Sequence, residues 1–165
     1  MKIKQKLKEY ILEKEQKFIK HYFCCYCNRF ISLINTHLEH FLPRDFFKNQ
    51  QFSYSNIFVS CNDKKTCGHF KENKETSILN PSKDIFADYL EYKISDNGIE
   101  IVSKNNLGLK YKKICEDTIK ILNLNERRLV NYRMNLYIQH VRKKVPFDYA
   151  EIHPILMNFL KKLQE

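Results

Sequence analysis

His21–Phe30 reads HYFCCYCNRF, and Thr36–Phe46 reads THLEHFLPRDF. The first stretch puts Cys24, Cys25 and Cys27 within four positions; the second holds a Glu-His pair followed by a proline. Their reading decides the fold, because Cys61 and Cys67, in SCNDKKTCGHF, complete a site with the first cysteines. Cys24 and Cys27 stand at the C-x-x-C spacing at which a tight turn presents two thiolates to one tetrahedral metal. Cys61 and Cys67 form a wider C-x5-C. Four thiolates from two knuckles are the ligand set of a structural zinc site, with Cys25 as a bystander. Three other readings compete. Cys25 replaces Cys24, although C-x-C is the less common knuckle; the pair is redox-active, although no thioredoxin-like βαβ pattern surrounds it; or the thiols are simply buried. A zinc staple suits a segment too small to build its own core.

The rest of the chain sets the bounds. Its 165 residues suffice for a single domain over 1–165 with a real core. A 43% hydrophobic and 13% aromatic content is globular rather than disordered. Lys and Arg number 29 against 19 acids, a net charge of +10, which favours a polyanionic partner such as nucleic acid or an anionic surface. A solvated lysine-rich surface has the same composition. With no apolar run of about 18 residues, no membrane-spanning helix is expected. MKIKQKLKEYILEKEQKF lacks the apolar region of a secretory signal. The expected setting is therefore the reducing cytoplasm, where cysteines serve as metal ligands or buried thiols rather than disulfides.

Periodicity predicts an amphipathic helix over about 2–21, with Ile3, Leu7, Tyr10, Ile11, Phe18 and Ile19 at helical spacing. Residues 22–75 hold five of the six cysteines and form the chemical core. A β-hairpin is predicted over 85–104, with strands Tyr89–Ser95 and Ile99–Ser103 around the turn Asp96-Asn97-Gly98. Helices are predicted over 110–165. One carries Ile114, Thr118, Ile121 and Leu122. A second starts at Asn125 as N-cap and ends before Pro146; a third has Pro154 in its first turn. Cys115 reads as a core thiol, and His21, His140 and His153 as residues of helical stripes outside the site.

Between the cysteine pairs lie Glu39, His40 and Pro43, then Asn56 ahead of the apolar run IFVSC, then CGHFK. This series resembles the HNH nucleases of the ββα-metal group. The order CCYC, EHFLP, SNIFVSC, CGHFK, the later hairpin and TIKILNLNERRLVNYR are similar to HNH proteins found beside retrons and in Septu-type anti-phage systems, where such a protein accompanies an ATPase. The likeness covers about 20–140. The implied fold class is α+β: a zinc-stapled ββα-metal HNH core flanked by an N-terminal helix, a β-hairpin and C-terminal helices.

The resemblance also implies roles. Hydrolysis of a phosphodiester needs an activated water, charge neutralisation on the phosphate and stabilisation of the leaving alkoxide. His40 matches the general base, and Glu39 the acid that binds a catalytic Mg2+ or Mn2+. Because adjacent strand residues face opposite sides, the strand must end or twist if both are to serve one phosphate. Asn56 matches the residue that braces the loop and orients the histidine. The family pattern puts His or Asn directly after the last zinc cysteine, whereas Gly68 stands there and His69 follows. His69 is assigned as the second ligand of the catalytic ion, with Asn73 and Asn62 as alternatives. Lys71 is expected to contact phosphate, as are Arg44, Lys48, Lys64 and Lys65 on flanking loops. His37 reads as structural, or at most a substrate contact.

Two functions compete. The leading one is a metal-dependent endonuclease acting on DNA, with an ATPase partner and no membrane; RNA is not excluded, because the site reads phosphate geometry. The rival is a non-catalytic zinc module that binds nucleic acid or a protein.

Overall fold

The computed structural model describes residues 2–74, 77–146 and 152–164. Parts of two expected segments, residue 75 of the chemical core and 147–151 and 165 of the helical region, lie outside the described residues. The class is mixed α+β, as expected. Helix α1 (Lys2–Glu15) leads into a small sheet of β1 (Lys17–Phe18), β2 (His21–Phe23) and β3 (Phe30–Ile31). Strands β4 (Thr36–His40) and β5 (Ile57–Cys61) pair antiparallel, and the short helix α2 (Cys67–Lys71) follows them. One helical turn, α3 (Phe86–Tyr89), precedes the hairpin of β6 (Leu90–Ser95) and β7 (Gly98–Ser103). Helices α4 (Leu109–Ile121), α5 (Arg127–Tyr137) and α6 (Pro154–Lys162) close the order, with a π-helical turn over Ile138–Arg142. Among the described residues no helix is long and apolar enough to cross a membrane.

The first helix stops six residues short of the expected 21. Gln16 explains the stop. Its carboxamide donates to the carbonyls of Phe23 (2.8 Å) and Val59 (2.7 Å) and accepts from the Val59 amide (2.8 Å). One side chain thus satisfies part of the open edge of β5, a tertiary gain that overrides the helical pattern. Ile19 takes a positive φ of 57° and reverses the chain, so Phe18 and Ile19 become exposed hairpin residues. His21 consequently lies on β2 beside the Phe30 ring rather than on a helix.

The hairpin forms where predicted, but its turn is shorter. Ser95 pairs with Gly98, so Gly98 opens β7 at φ 124°. A Cβ there would meet Val130 Cγ1 at 2.8 Å, so the position needs glycine for both backbone and space. Asn125 does not cap α5. Its side chain pairs with both backbone groups of Ile101 at 2.8 Å, and Glu126 caps instead, accepting from the Arg128 amide. His153, expected on a stripe, is the N-cap of α6. His140 sits in the π-helical turn, donating from Nδ1 to the Val145 carbonyl. Ile11, Leu12 and Val59 join Cys24, Cys27, Cys61 and Cys67, the hairpin residues Ile99 and Ile101, the helical residues Cys115 and Leu129, and Leu122 at the end of α4 in one buried cluster.

Candidate metal centre and active site

The knuckle after β2 is built by local hydrogen bonds. The Cys24 amide donates to the Arg29 carbonyl, and the Asn28 amide to the Cys24 carbonyl, with Asn28 at φ 56°. At the other end, Cys67 also has a positive φ, 56°, and its amide donates to the Leu122 carbonyl at 2.7 Å. Helix α4 therefore fixes the position of the last cysteine. The sulfurs of Cys24, Cys27, Cys61 and Cys67 all lie within 4.8 Å of one another, and all four residues are buried. Burial works against ionisation of Cys24. Hydrogen bonds from Cys25, Cys27, Cys61 and Cys67 outweigh it and drive that thiol well below its ordinary value. Such a cluster is able to bind one tetrahedral metal such as zinc. Cys25 stands outside it and is only half-buried.

The second centre lies between β4 and α2. Alternation along β4 sends His37 and Glu39 to the same side. Glu39 is buried, and its Oε1 receives Lys71 Nζ at 2.9 Å and the Tyr26 hydroxyl at 3.3 Å. Its Oε2 faces His37 Nε2 at 3.4 Å. Burial alone would raise the Glu39 carboxyl; His37 and the Lys71 ammonium outweigh it and hold the group below its usual value. Lys71 is 1% exposed and also donates to the carbonyls of His40 (3.0 Å) and Phe41 (3.3 Å). The expectation that it contacts phosphate is corrected: its ammonium is fully engaged inside the protein.

His40 ends β4 on the opposite side of the strand. Register persists to the last pair, Glu39↔Phe58 and His40↔Ile57, and the strand ends at His40. His40 Nε2 donates to the Gln51 carbonyl at 2.9 Å. That bond leaves Nδ1 as the basic nitrogen. Asn56, 3% exposed, ties down the loop that carries Gln51. It accepts from the Leu42 amide at 2.6 Å and donates to the carbonyls of Leu42 and Gln50, each at 3.1 Å.

His69 projects from α2 beside His37, with ring centroids 4.0 Å apart. Its Nε2 donates to Asn62 Oδ1 at 2.6 Å, and burial, with His37 next, lowers its pKa. Asn62 is thereby engaged with His69, and Asn73 donates to Asp45; neither is hydrogen-bonded to Glu39. The β4–β5 loop exposes Arg44 and Lys48 among the exposed rings of Phe46, Phe52 and Tyr54. Lys64 and Lys65 line a recess of about 460 Å3 with Arg29 and Arg128, which flank Asp63. Sequence reasoning missed Arg29, Arg128, Tyr26 and the placement of His37. The last was readable from the His-x-Glu alternation on a strand.

One carboxylate with imidazoles beside it suits a hard or borderline divalent ion that keeps water and substrate oxygens in its shell. Among the described residues the only group of three or more His, Cys, Asp or Glu ligands close enough for one metal is the cysteine cluster. No protein-family model matches the chain, and the comparison with curated proteins finds no significant relative.

Proposed function

We propose that the chain is a metal-dependent endonuclease of the HNH type that hydrolyses phosphodiester bonds of DNA in the cytoplasm, with an ATPase partner in anti-phage defence. One observation carries the reading: Lys71 holds the Glu39 carboxylate and the His40 carbonyl at once, 2.9 and 3.0 Å away. It joins the Glu-His pair of β4 to the helix after the last cysteine. A zinc ion in the cysteine cluster supplies the staple. The ββα arrangement of β4, β5 and α2, and the exposed basic residues Arg44, Lys48, Lys64 and Lys65, support the same reading.

In this account His40 Nδ1 takes the proton of the attacking water, with the ring held by Gln51 and the loop braced by Asn56. Water oxygen bonds to phosphorus, the bond to the 3′ oxygen breaks, and that oxygen takes a proton from solvent. Glu39 and an imidazole of the adjacent pair His37 and His69 are the residues that would hold Mg2+ or Mn2+. The ion supplies charge neutralisation on the phosphate.

The rival, a non-catalytic zinc module, draws on Gly68 at the third motif position and on the opposite facing of Glu39 and His40. The test is incubation of supercoiled plasmid and labelled RNA with the purified protein, alone and with an ATPase encoded beside it. Cleavage that stops with EDTA and returns with Mn2+ supports the nuclease. Binding without cleavage under every condition supports the module.

A further inference from the structure

We propose that His37, rather than His69, is the imidazole ligand of the divalent ion at Glu39, and that Gly68 is what makes room for it. The inference rests on the nuclease reading above and deepens it.

Three observations lead there. First, His37 Nε2 and Glu39 Oε2 face each other at 3.4 Å. Two atoms that share an octahedral ion at about 2.1 Å sit about 3 Å apart, so the pair needs only a small adjustment. Glu39 Oε1 is committed to Lys71 and Tyr26, which leaves Oε2 as the free ligand atom. Second, a Cβ on Gly68 would lie 2.4 Å from Glu39 Oε2 and 2.8 Å from His37 Nε2. No side chain fits at 68 while His37 stands where it does. The imidazole occupies the space that a residue after Cys67 would otherwise fill. Third, the two imidazoles are committed differently: His37 turns its Nε2 to the Glu39 carboxylate. His69, by contrast, has Nε2 committed to Asn62 at 2.6 Å.

His69 then acts as a positioning residue. Its ring lies 4.0 Å from that of His37 and limits how that side chain rotates.

The experiment is Mn2+ titration of the zinc-loaded protein, followed by electron paramagnetic resonance, with zinc content and thermal melting as fold controls. Wild type is expected to bind one Mn2+. His37→Ala and Glu39→Gln are expected to weaken binding at least about tenfold, and His69→Ala by no more than about threefold. His37→Gln keeps the bulk between Gly68 and Glu39, and is expected to lose Mn2+ while retaining zinc. The proposal is overturned if both His37 variants bind Mn2+ like wild type, if His69→Ala alone abolishes binding, or if wild type binds none. DNA cleavage by the same samples is scored separately. Cleavage by a His37 variant that still binds Mn2+ sinks this assignment and leaves the nuclease standing.

Discussion

Lys71 and Glu39 form an ion pair 2.9 Å long in which the lysine side chain is 1% and the glutamate 8% exposed. The pair joins the strand β4 and the helix α2, between which the sequence places a long loop and the strand β5. The surrounding carbonyls of His40, Phe41 and Glu72 complete the lysine's bonding. A buried pair of this kind stabilises little relative to apolar residues of the same shape, but breaking it is expensive.

Lys71→Met therefore leaves Glu39 buried without its cation and is expected to cost about 3–5 kcal/mol in chemical denaturation. The double variant Lys71→Met, Glu39→Leu should recover most of that. The pair also carries a pH signature. Glu39 has a folded pKa below its ordinary 4.5. Its contribution is fully present above about pH 4.5 and is lost as pH falls through the lowered folded value. An equal pH dependence in wild type and Glu39→Gln would contradict the assignment.

The cysteine cluster predicts one bound zinc per chain. Cys24→Ser or Cys67→Ser should remove it and unfold the segment around β4, β5 and α2, whereas Cys25→Ser should keep both metal and fold. Elemental analysis and circular dichroism read the two outcomes. Loss of zinc in Cys25→Ser with retention in Cys24→Ser would exchange the ligand and the bystander.

Gly68→Ala and Gly108→Ala make an internal comparison. The first places a methyl group 2.4 Å from a carboxylate oxygen, and the second meets nothing within 4 Å. The expected destabilisation is about 1–3 kcal/mol for Gly68→Ala and within about 0.5 kcal/mol for Gly108→Ala, from thermal or urea melts. Equal melts would show that β4 and α2 part more easily than their contacts suggest.

His153 tests the helical end of the molecule. It caps α6 through Nδ1, packs edge-on to Phe23 at 5.2 Å, and burial lowers its pKa from 6.5 to about 4. Because the unfolded chain takes the proton first, stability falls as pH drops through 6.5 and the loss is complete near 4. The effect is at most about 3 kcal/mol. His153→Asn keeps a capping oxygen and should flatten that part of the curve. A wild-type curve no steeper than that of His153→Asn would count against burial of the neutral ring.

What was legible in the sequence follows from how local each signal is. The knuckle Cys24–Cys27 needs only a turn, so spacing revealed it, and the second pair followed from the need for four ligands. The β6–β7 hairpin was legible from its β-branched and aromatic residues and its turn residues. The end of α1 was not, because Gln16 leaves the helix for the edge of β5, a partner 43 residues away. Asn125 misled for the same reason: its side chain is spent on Ile101. At the candidate site, Glu39 and His40 stood out as a pair, yet a strand sends neighbours to opposite sides. The residues gathered around Glu39 are instead His37 by alternation, and Lys71, Gly68 and Tyr26 by packing that no short pattern encodes.

The most direct test of the nuclease account compares cleavage rates of wild type and His40→Ala at equal zinc content, with Mn2+ and the proposed ATPase partner present. Loss of a general base predicts a fall of about 100-fold or more. Cleavage by His40→Ala at the wild-type rate, or none by wild type on either DNA or RNA, would contradict it.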